Sequence, residues 1–197
     1  MAYAASDAIT AGNVKVAVTG AVYVADADDA AATAPTAAVS KLATGWKSVG
    51  YISEEGVVEA NTRDTNEITA WQNSDVVRKT VTKSETTYQF TMIETNATAL
   101  GLFYGKDIAD AETKHTIGGS ASKKVKLVID VVDGGKVIRR YIPDGEVTER
   151  GEVTFSASDA LGYQVTVTAY PNAALGGSVE VHYDTALEDG LADTTTP

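Results

Sequence analysis

The sequence predicts a mainly β protein, a β-sandwich or partly closed barrel with one short flanking α-helix. The first observation is a set of segments in which apolar and polar residues alternate with a period of two, as in half-buried strands. The second is a pair of β-branched segments joined by Asp133-Gly134-Gly135, a pattern typical of a hairpin. Hydrophobic residues make up 44% of the chain, which favours a folded domain over a disordered one.

The predicted strands share this alternation or a high content of valine, isoleucine and threonine. They are residues 14–25, 86–93, 124–132, 136–142 and 162–170. In the first, valines at positions 14, 16 and 18 alternate with Lys15 and Ala17, and Gly20 is a candidate bulge. Pro171 is expected to end the last strand, because proline has no backbone N–H for a sheet.

One helix is predicted just after residue 94. Thr95 or Asn96 can cap its start, and Gly105 can end it. Its apolar residues follow helical spacing and predict one buried face. They are Leu100, Phe103 and Tyr104.

We expect one domain over residues 1–183 and an acidic tail over residues 184–197. Residues 25–45 are small, polar and rich in alanine, and they lie between two strand-like segments. A loop of that length is unusual inside a compact domain and is often functional. We therefore expect both this loop and the tail to protrude.

Composition excludes several classes of protein. The net charge is −11, and the excess of acids lies toward the two ends of the chain, so tight binding to nucleic acid is disfavoured. Cysteine is absent, which rules out disulfides, thiolate catalysis and zinc–sulfur sites. No apolar segment is long enough to cross a membrane, and the first residues do not have the pattern of a secretory signal.

The sequence offers no catalytic, cofactor or metal site. His115 lies in a polar stretch and His182 in an alternating strand, and no Gly-x-Ser-x-Gly motif is present. A calcium loop beginning at Asp26 would need glycine at Ala31 and glutamate at Ala37. We therefore predict that the protein is not an enzyme and binds no cofactor or metal.

Charged residues and one tryptophan are instead candidates for contacts between subunits. A basic hairpin in the middle of the chain could meet acidic segments of a neighbour, or could simply be a charged surface that discourages edge pairing. Trp71 is expected to pack outside the main core, against a neighbouring subunit. The candidate contacts are Asp26, Asp28, Asp29, Trp71, Lys124, Lys126, Arg139, Arg140, Glu188 and Asp189.

Four short pieces in order resemble one protein family. They are Gly45-Trp-Lys-Ser-Val-Gly-Tyr51, Ile68-Thr-Ala-Trp71, Val76-Val-Arg78 and the strand that ends in Glu94-Thr-Asn96. Their order and spacing resemble the major tail proteins, or tail tube proteins, of siphophages, particularly those that infect actinobacteria. The resemblance is detailed over residues 40–105 and general elsewhere.

The resemblance implies the tail-tube fold and a structural role in a long, non-contractile tail. Subunits of this family form hexameric rings that stack into a tube, often through a long loop and terminal arms, and genomic DNA passes through the lumen on ejection. The implied partners are other copies of the chain and the tail terminator, tape measure and baseplate proteins, and the implied location is the virion tail. We expect residues 86–93 and 162–170 to line the lumen, with residues 76–81 and 152–155 beside them.

Alternative roles remain at this point. One is another tube-like structural protein, such as a tail terminator, a tube component near the baseplate or a subunit of a type VI secretion tube. A host-binding β-sandwich module is another, although it would need exposed aromatic residues on one surface. A hydrolase would need its two histidines for turnover.

Overall fold

The computed structural model describes residues 14–107, 113–118 and 122–185. Its strands are β1 (Thr19–Asp26), β2 (Lys47–Ser48), β3 (Ile52–Thr69), β4 (Val76–Met92), β5 (Lys124–Asp133), β6 (Lys136–Arg150), β7 (Tyr163–Ala169) and β8 (Val181–Asp184). One α-helix, α1 (Ala97–Tyr104), follows β4, and a short 3-10 helix spans Ala173–Leu175. The strands form one antiparallel sheet in the order β2-β1-β5-β6-β7-β4-β3, with β8 paired to β6. The mainly β prediction is confirmed, and the sheet is open.

The predicted hairpin forms between β5 and β6. Asp133 pairs with Lys136 across a turn in which Gly134 adopts a positive φ of 58°, a conformation that glycine adopts without strain. Leu127, Val128 and Ile129 are all buried although they are consecutive. Side chains on a strand alternate between faces, so β5 must be covered on both sides.

The two sides of this part of the sheet carry two separate apolar clusters. The larger cluster joins β1, β4, β5, β6, β7 and α1, and it includes Phe90, Leu127 and Phe103. The smaller cluster lies on the opposite face and includes Trp46, Val128 and Tyr141. The Trp46 and Tyr141 rings meet edge to face, with 6.0 Å between their centroids, a favourable aromatic geometry.

Strand β6 changes partners along its length. Residues 138–141 pair with β8, whereas residues 145–150 pair with β7. Gly145 lies at this change, and a Cβ there would lie 3.0 Å from a methyl group of Val167. Glycine therefore allows β6 to lie close to Val167 where the strand changes partners.

Helix α1 has the predicted ends. The Asn96 side chain accepts a hydrogen bond from the Ala99 N–H at 2.8 Å, and Gly105 adopts a left-handed φ of 65°. The buried face of α1 is rotated by about one residue from the predicted face. Its buried residues are Ala99, Leu102 and Phe103. Leu100 and Tyr104 are only partly buried and pack against the edge of the larger cluster.

The first strand begins later in the chain than predicted. Residues 14–18 are outside regular structure, and β1 starts at Thr19. Gly20 is not a bulge, because pairing to β5 continues without a shift from Thr19 to Asp26. A Cβ at Gly20 would lie 2.5 Å from the Asp130 carbonyl oxygen, so glycine is required for close approach of the two strands.

The loop after β1 was predicted to protrude, but it packs on the sheet. Residues 27–46 lie against the sheet, and Ala32, Ala38 and Trp46 are buried there. Ala32 and Trp46 belong to the smaller cluster. The Trp46 indole donates a hydrogen bond to the Thr33 carbonyl at 2.9 Å. Small alanine side chains allow the loop backbone to approach the sheet closely, which its composition did not reveal.

Candidate assembly surfaces

The element that does protrude is the hairpin of β3 and β4. Strand β4 pairs with β7 only from Thr86 to Met92, and in the described part of the chain β3 pairs with β4 alone. Residues 61–85, here called the arm, are therefore a two-stranded ribbon beyond the rest of the sheet. Nine or ten residues per strand at about 3.4 Å each give a reach of roughly 30 Å.

Such a ribbon is not stable alone, since an isolated two-stranded hairpin is marginal in water. Nearly every residue of the arm is exposed. The exposed side chains include several large apolar residues. These are Ile68, Trp71, Val76, Val77 and Val81. An arm of this kind is expected to be stabilised by a partner.

Two irregularities in strand pairing set the direction of the arm's side chains. Asp64 pairs with Lys83 but Thr65 with Val81, and Ile68 pairs with Arg78 but Thr69 with Val76. Each shift places two residues of β4 opposite one residue of β3, as in a β-bulge. The two sites are Val81-Thr82 opposite Thr65, and Val76-Val77 opposite Thr69.

The bulges gather the arm's valines on one face. Residues paired directly across an antiparallel ladder share a face, and the pair Val57 with Phe90 faces the larger cluster. Counting alternate residues along β3 from Val57 reaches Thr65 and Thr69 on that same face. Val76 and Val81 therefore lie on it, here called the inner face, and the bulge brings Val77 toward it.

Trp71 lies in the turn at the tip of the arm and is 96% exposed. Trp71 therefore lies outside the main core of its own chain, and its packing against a neighbour stays a prediction. Asn73 and Ser74 in the same turn adopt positive φ angles of 57° and 56°, which is costly for residues other than glycine. The turn thus holds a large aromatic side chain away from the body of its own chain.

Ion pairs across and along the arm are exposed. Lys79 lies 2.5 Å from Glu67, and Lys83 lies 2.5 Å from Glu85. The hydrogen bond to Glu85 raises the pKa of Lys83 above its usual value. Exposed pairs of this kind contribute little to stability, so they do not stabilise the arm in the way that packing against a further strand or a core would.

Two polar contacts fix the root of the arm. The buried Tyr88 hydroxyl donates a hydrogen bond to Glu180, whose other oxygen lies 2.7 Å from His182 Nε2. Burial, followed by the bond to Glu180, raises the pKa of Tyr88 well above its ordinary value. Arg140 lies 4.0 Å from Glu59, the residue paired with Tyr88. No strand pattern predicts this cluster, because its members are far apart in the chain.

Two of the predicted basic contacts, Arg139 and Lys126, bind the loop of residues 27–46 in their own chain. The Arg139 side chain is buried and pairs with both oxygens of Asp130 at 2.6 and 2.7 Å. It also donates to the Ser40 carbonyl at 2.7 Å. The Lys126 ammonium donates to the Asp29 carbonyl at 2.8 Å. These two cations hold the loop of residues 27–46 on the sheet.

The other predicted charges are more accessible. Lys124 is exposed, lies 3.1 Å from Asp144 and stands over the Tyr170 ring at 5.6 Å. Asp26 and Asp28 are exposed, and Asp26 lies 2.5 Å from the Lys123 ammonium. Glu188, Asp189 and the rest of the predicted tail from residue 186 lie outside the described residues.

Strands β4 and β7 are neighbours, and their polar residues share a face. The cross-strand pairs there are Thr87 with Thr168, Gln89 with Thr166 and Thr91 with Gln164. The same rows continue onto β6, where the Thr148 and Thr168 hydroxyls lie 2.9 Å apart. Residues 152–155, expected beside these strands, are irregular in structure. The face is thus rich in hydroxyl and amide groups, and the charged residues that β6 adds to it, Glu146 and Glu149, are acidic.

In the described part of the chain, no group of three or more His, Cys, Asp or Glu side chains could hold a metal ion. His115 is partly buried in an irregular segment, and His182 belongs to β8. None of the helices among the described residues has the length and apolar character needed to span a bilayer.

Comparison with known proteins gives one family. The sequence profile of the family described as phage tail tube protein matches residues 7–179. Among solved structures, the chain is similar to the PVC sheath/tube terminator of an extracellular contractile injection system in its extended state. The two share 12% sequence identity with a TM-score of 0.42, over 84% of this chain and 93% of that chain. No curated protein matches the chain.

Proposed function

The chain belongs to the phage tail tube protein family, and on that premise we propose that it is the repeating subunit of a long, non-contractile tail tube. Its copies form hexameric rings that stack around a channel for genomic DNA. The observation that carries the proposal is the arm, a long and exposed ribbon with Trp71 at its tip and free edges in the described chain. Exposed strand edges and apolar side chains are covered when identical subunits close into a ring.

The polar face of β4 and β7 is suited to line the channel. Its threonine and glutamine side chains carry no charge, and the chain as a whole carries a net charge of −11. Such a surface offers few cations to bind phosphate, so DNA can pass without being retained. This arrangement would place the larger cluster and α1 away from the lumen.

Contacts between rings would use the arm and the accessible charges. Trp71 at the arm's tip can reach a neighbouring subunit, and Lys124 and Asp28 offer opposite charges on accessible surfaces. Lys126 and Arg139 are less suited to this role, because both bind carbonyl groups of their own loop. Asp189 and Glu188 stay as proposed contacts of the tail.

A structural role without catalysis is the function best supported. The support for it is membership of a family of tail tube proteins, whose role is structural. The partners would be copies of the chain together with the tail terminator, tape measure and baseplate proteins, in the virion tail.

Electron microscopy of the purified protein at rising concentration tests the proposal. We expect hollow tubes with six subunits in each ring, and a high copy number in virions by quantitative mass spectrometry. A terminator-like component would instead give single rings and about one ring's worth of copies per virion. Monomers alone at high concentration, together with low copy number in virions, would reject the proposal.

A further inference from the structure

A second apolar surface of the chain lies just before β1. The side chains of Val14, Val16 and Val18 are between 61% and 73% exposed. Their alternation is that of a strand, yet they belong to no strand of the described sheet. The Val16 N–H donates to an Asp133 carboxylate oxygen at 3.1 Å, so the segment is anchored while its valines face solvent.

The inner face of the arm carries a second group of exposed valines. Val76, Val77 and Val81 are between 49% and 63% exposed, and the two bulges gather them on one side of the ribbon. Three valines on each surface can interdigitate, and burial of such side chains is favourable. The Glu67–Lys79 ion pair lies between Val76 and Val81 on the same face, so each charge that the contact covers keeps its partner. Scattered single valines would need no explanation, but two clusters of three in one chain do.

The topology favours contact between copies. Strand β1 and the pair β3–β4 stand toward opposite ends of the strand order, and both valine clusters stay exposed when only one chain is considered. Subunits placed side by side bring the β1 side of one copy toward the β3–β4 side of the next. A head-to-tail contact of this kind joins two different surfaces and can close into a ring.

We propose that residues 14–18 of one subunit pack on the inner face of the arm of the adjacent subunit in the same ring, through Val14, Val16 and Val18 against Val76, Val77 and Val81. The inference rests on the proposed function, since it names the lateral contact of the ring. The contact is made by side chains, because the bulges at Val77 and Thr82 interrupt the regular edge that strand addition requires. It also supports the arm, which has no other cover among the described residues.

Disulfide cross-linking tests this contact directly, because the chain contains no cysteine. The double variant Val16→Cys/Val81→Cys is assembled, oxidised mildly and run on a non-reducing gel. The matched control is Val39→Cys/Val81→Cys, since Val39 is an exposed valine of similar accessibility, 67%, in the loop on the smaller cluster. Each single cysteine variant controls for links between like positions.

We expect a ladder of covalent oligomers ending at the ring size for Val16→Cys/Val81→Cys, with at least tenfold less product for each control. Tubes that form normally but give no ladder would overturn the contact and leave the proposed function standing. A cross-linked monomer that migrates faster than the reduced chain would also overturn it, by showing that the contact lies within one chain. Failure of the wild-type protein to assemble would reject the proposed function, and the contact with it.

Discussion

Replacement of Trp71 by alanine should raise the concentration needed for assembly without weakening the folded subunit. Trp71 is 96% exposed at the tip of the arm and touches neither apolar cluster. Its loss therefore removes no packing from the single chain, and the free energy of unfolding of the subunit should change by about 0.5 kcal/mol or less. Any large effect must arise in the assembled state.

The size of that effect follows from the side chain. A tryptophan buries about 150–250 Å², and at about 25 cal/mol per Å² this amounts to roughly 4–6 kcal/mol before the costs of association. Ordering and imperfect desolvation reduce the net value, and strong interface residues lose about 2–4 kcal/mol on truncation. At 1.4 kcal/mol for each factor of ten, the critical concentration should rise by roughly 30-fold to 700-fold.

Sedimentation of assembled tubes over a concentration series measures this directly, and urea denaturation of the dilute subunit measures its stability. The matched control is Phe155→Ala, because Phe155 is another exposed aromatic residue, 82% accessible, outside the arm. An unchanged critical concentration for Trp71→Ala would refute the reasoning. So would an equal rise in both variants, which would point to general hydrophobicity and not to the arm.

Three further predictions concern the subunit itself. Asn96→Ala should lower the free energy of unfolding by about 1–3 kcal/mol, because α1 loses its cap and the Val49 carbonyl loses its donor. Asn96→Ser keeps a capping oxygen and loses only that donor, so it should lose less; equal losses in urea denaturation would contradict the capping role. Arg139→Ala should lower the free energy of unfolding by about 3–5 kcal/mol, because Asp130 is left nearly buried without its partner. Limited proteolysis should then cut the loop of residues 27–46. The control Lys124→Ala breaks an exposed pair and should lower the free energy of unfolding by less than about 1 kcal/mol. The raised pKa of Tyr88 predicts that the folded subunit loses stability at alkaline pH. The hydroxyl ionises near pH 10 in the unfolded chain but stays neutral in the folded one, so the free energy of unfolding should be full below that pH and fall above it. Tyr88→Phe should lessen the fall between about pH 9 and 11 in denaturant titrations, and an identical fall in both proteins would reject this cause.

Residues that act locally were predictable from the sequence. Asn96 and Gly105 end α1 as predicted, because capping depends on groups within one turn. The turn at Gly134 formed as predicted for the same reason, since it needs only a residue that accepts a positive φ. Trp71 was expected outside the main core because Ile68 and Ala70 lie on the opposite face of the same segment, and it is exposed at the tip of the arm.

Long-range contacts were not predictable in the same way. The loop of residues 27–46 was expected to protrude because it is polar and rich in alanine, yet Arg139 and Lys126 hold it on the sheet from about 100 residues away. The arm was missed because its alternating residues have strand character without the apolar content of a buried strand. A strand pattern gives the direction of side chains but not whether another strand lies beside them.

The sequence alone thus determined the type and ends of local elements, since these depend on backbone preferences and on residues a few positions apart. Only the tertiary structure decided which charges are available to a partner. Arg139 and Arg140 are adjacent in sequence and alike in chemistry, but strand alternation turns the first toward Asp130 and the loop and the second toward Glu59 at the root of the arm. The difference arises from what the fold places on each face of β6, and no local pattern contains that information.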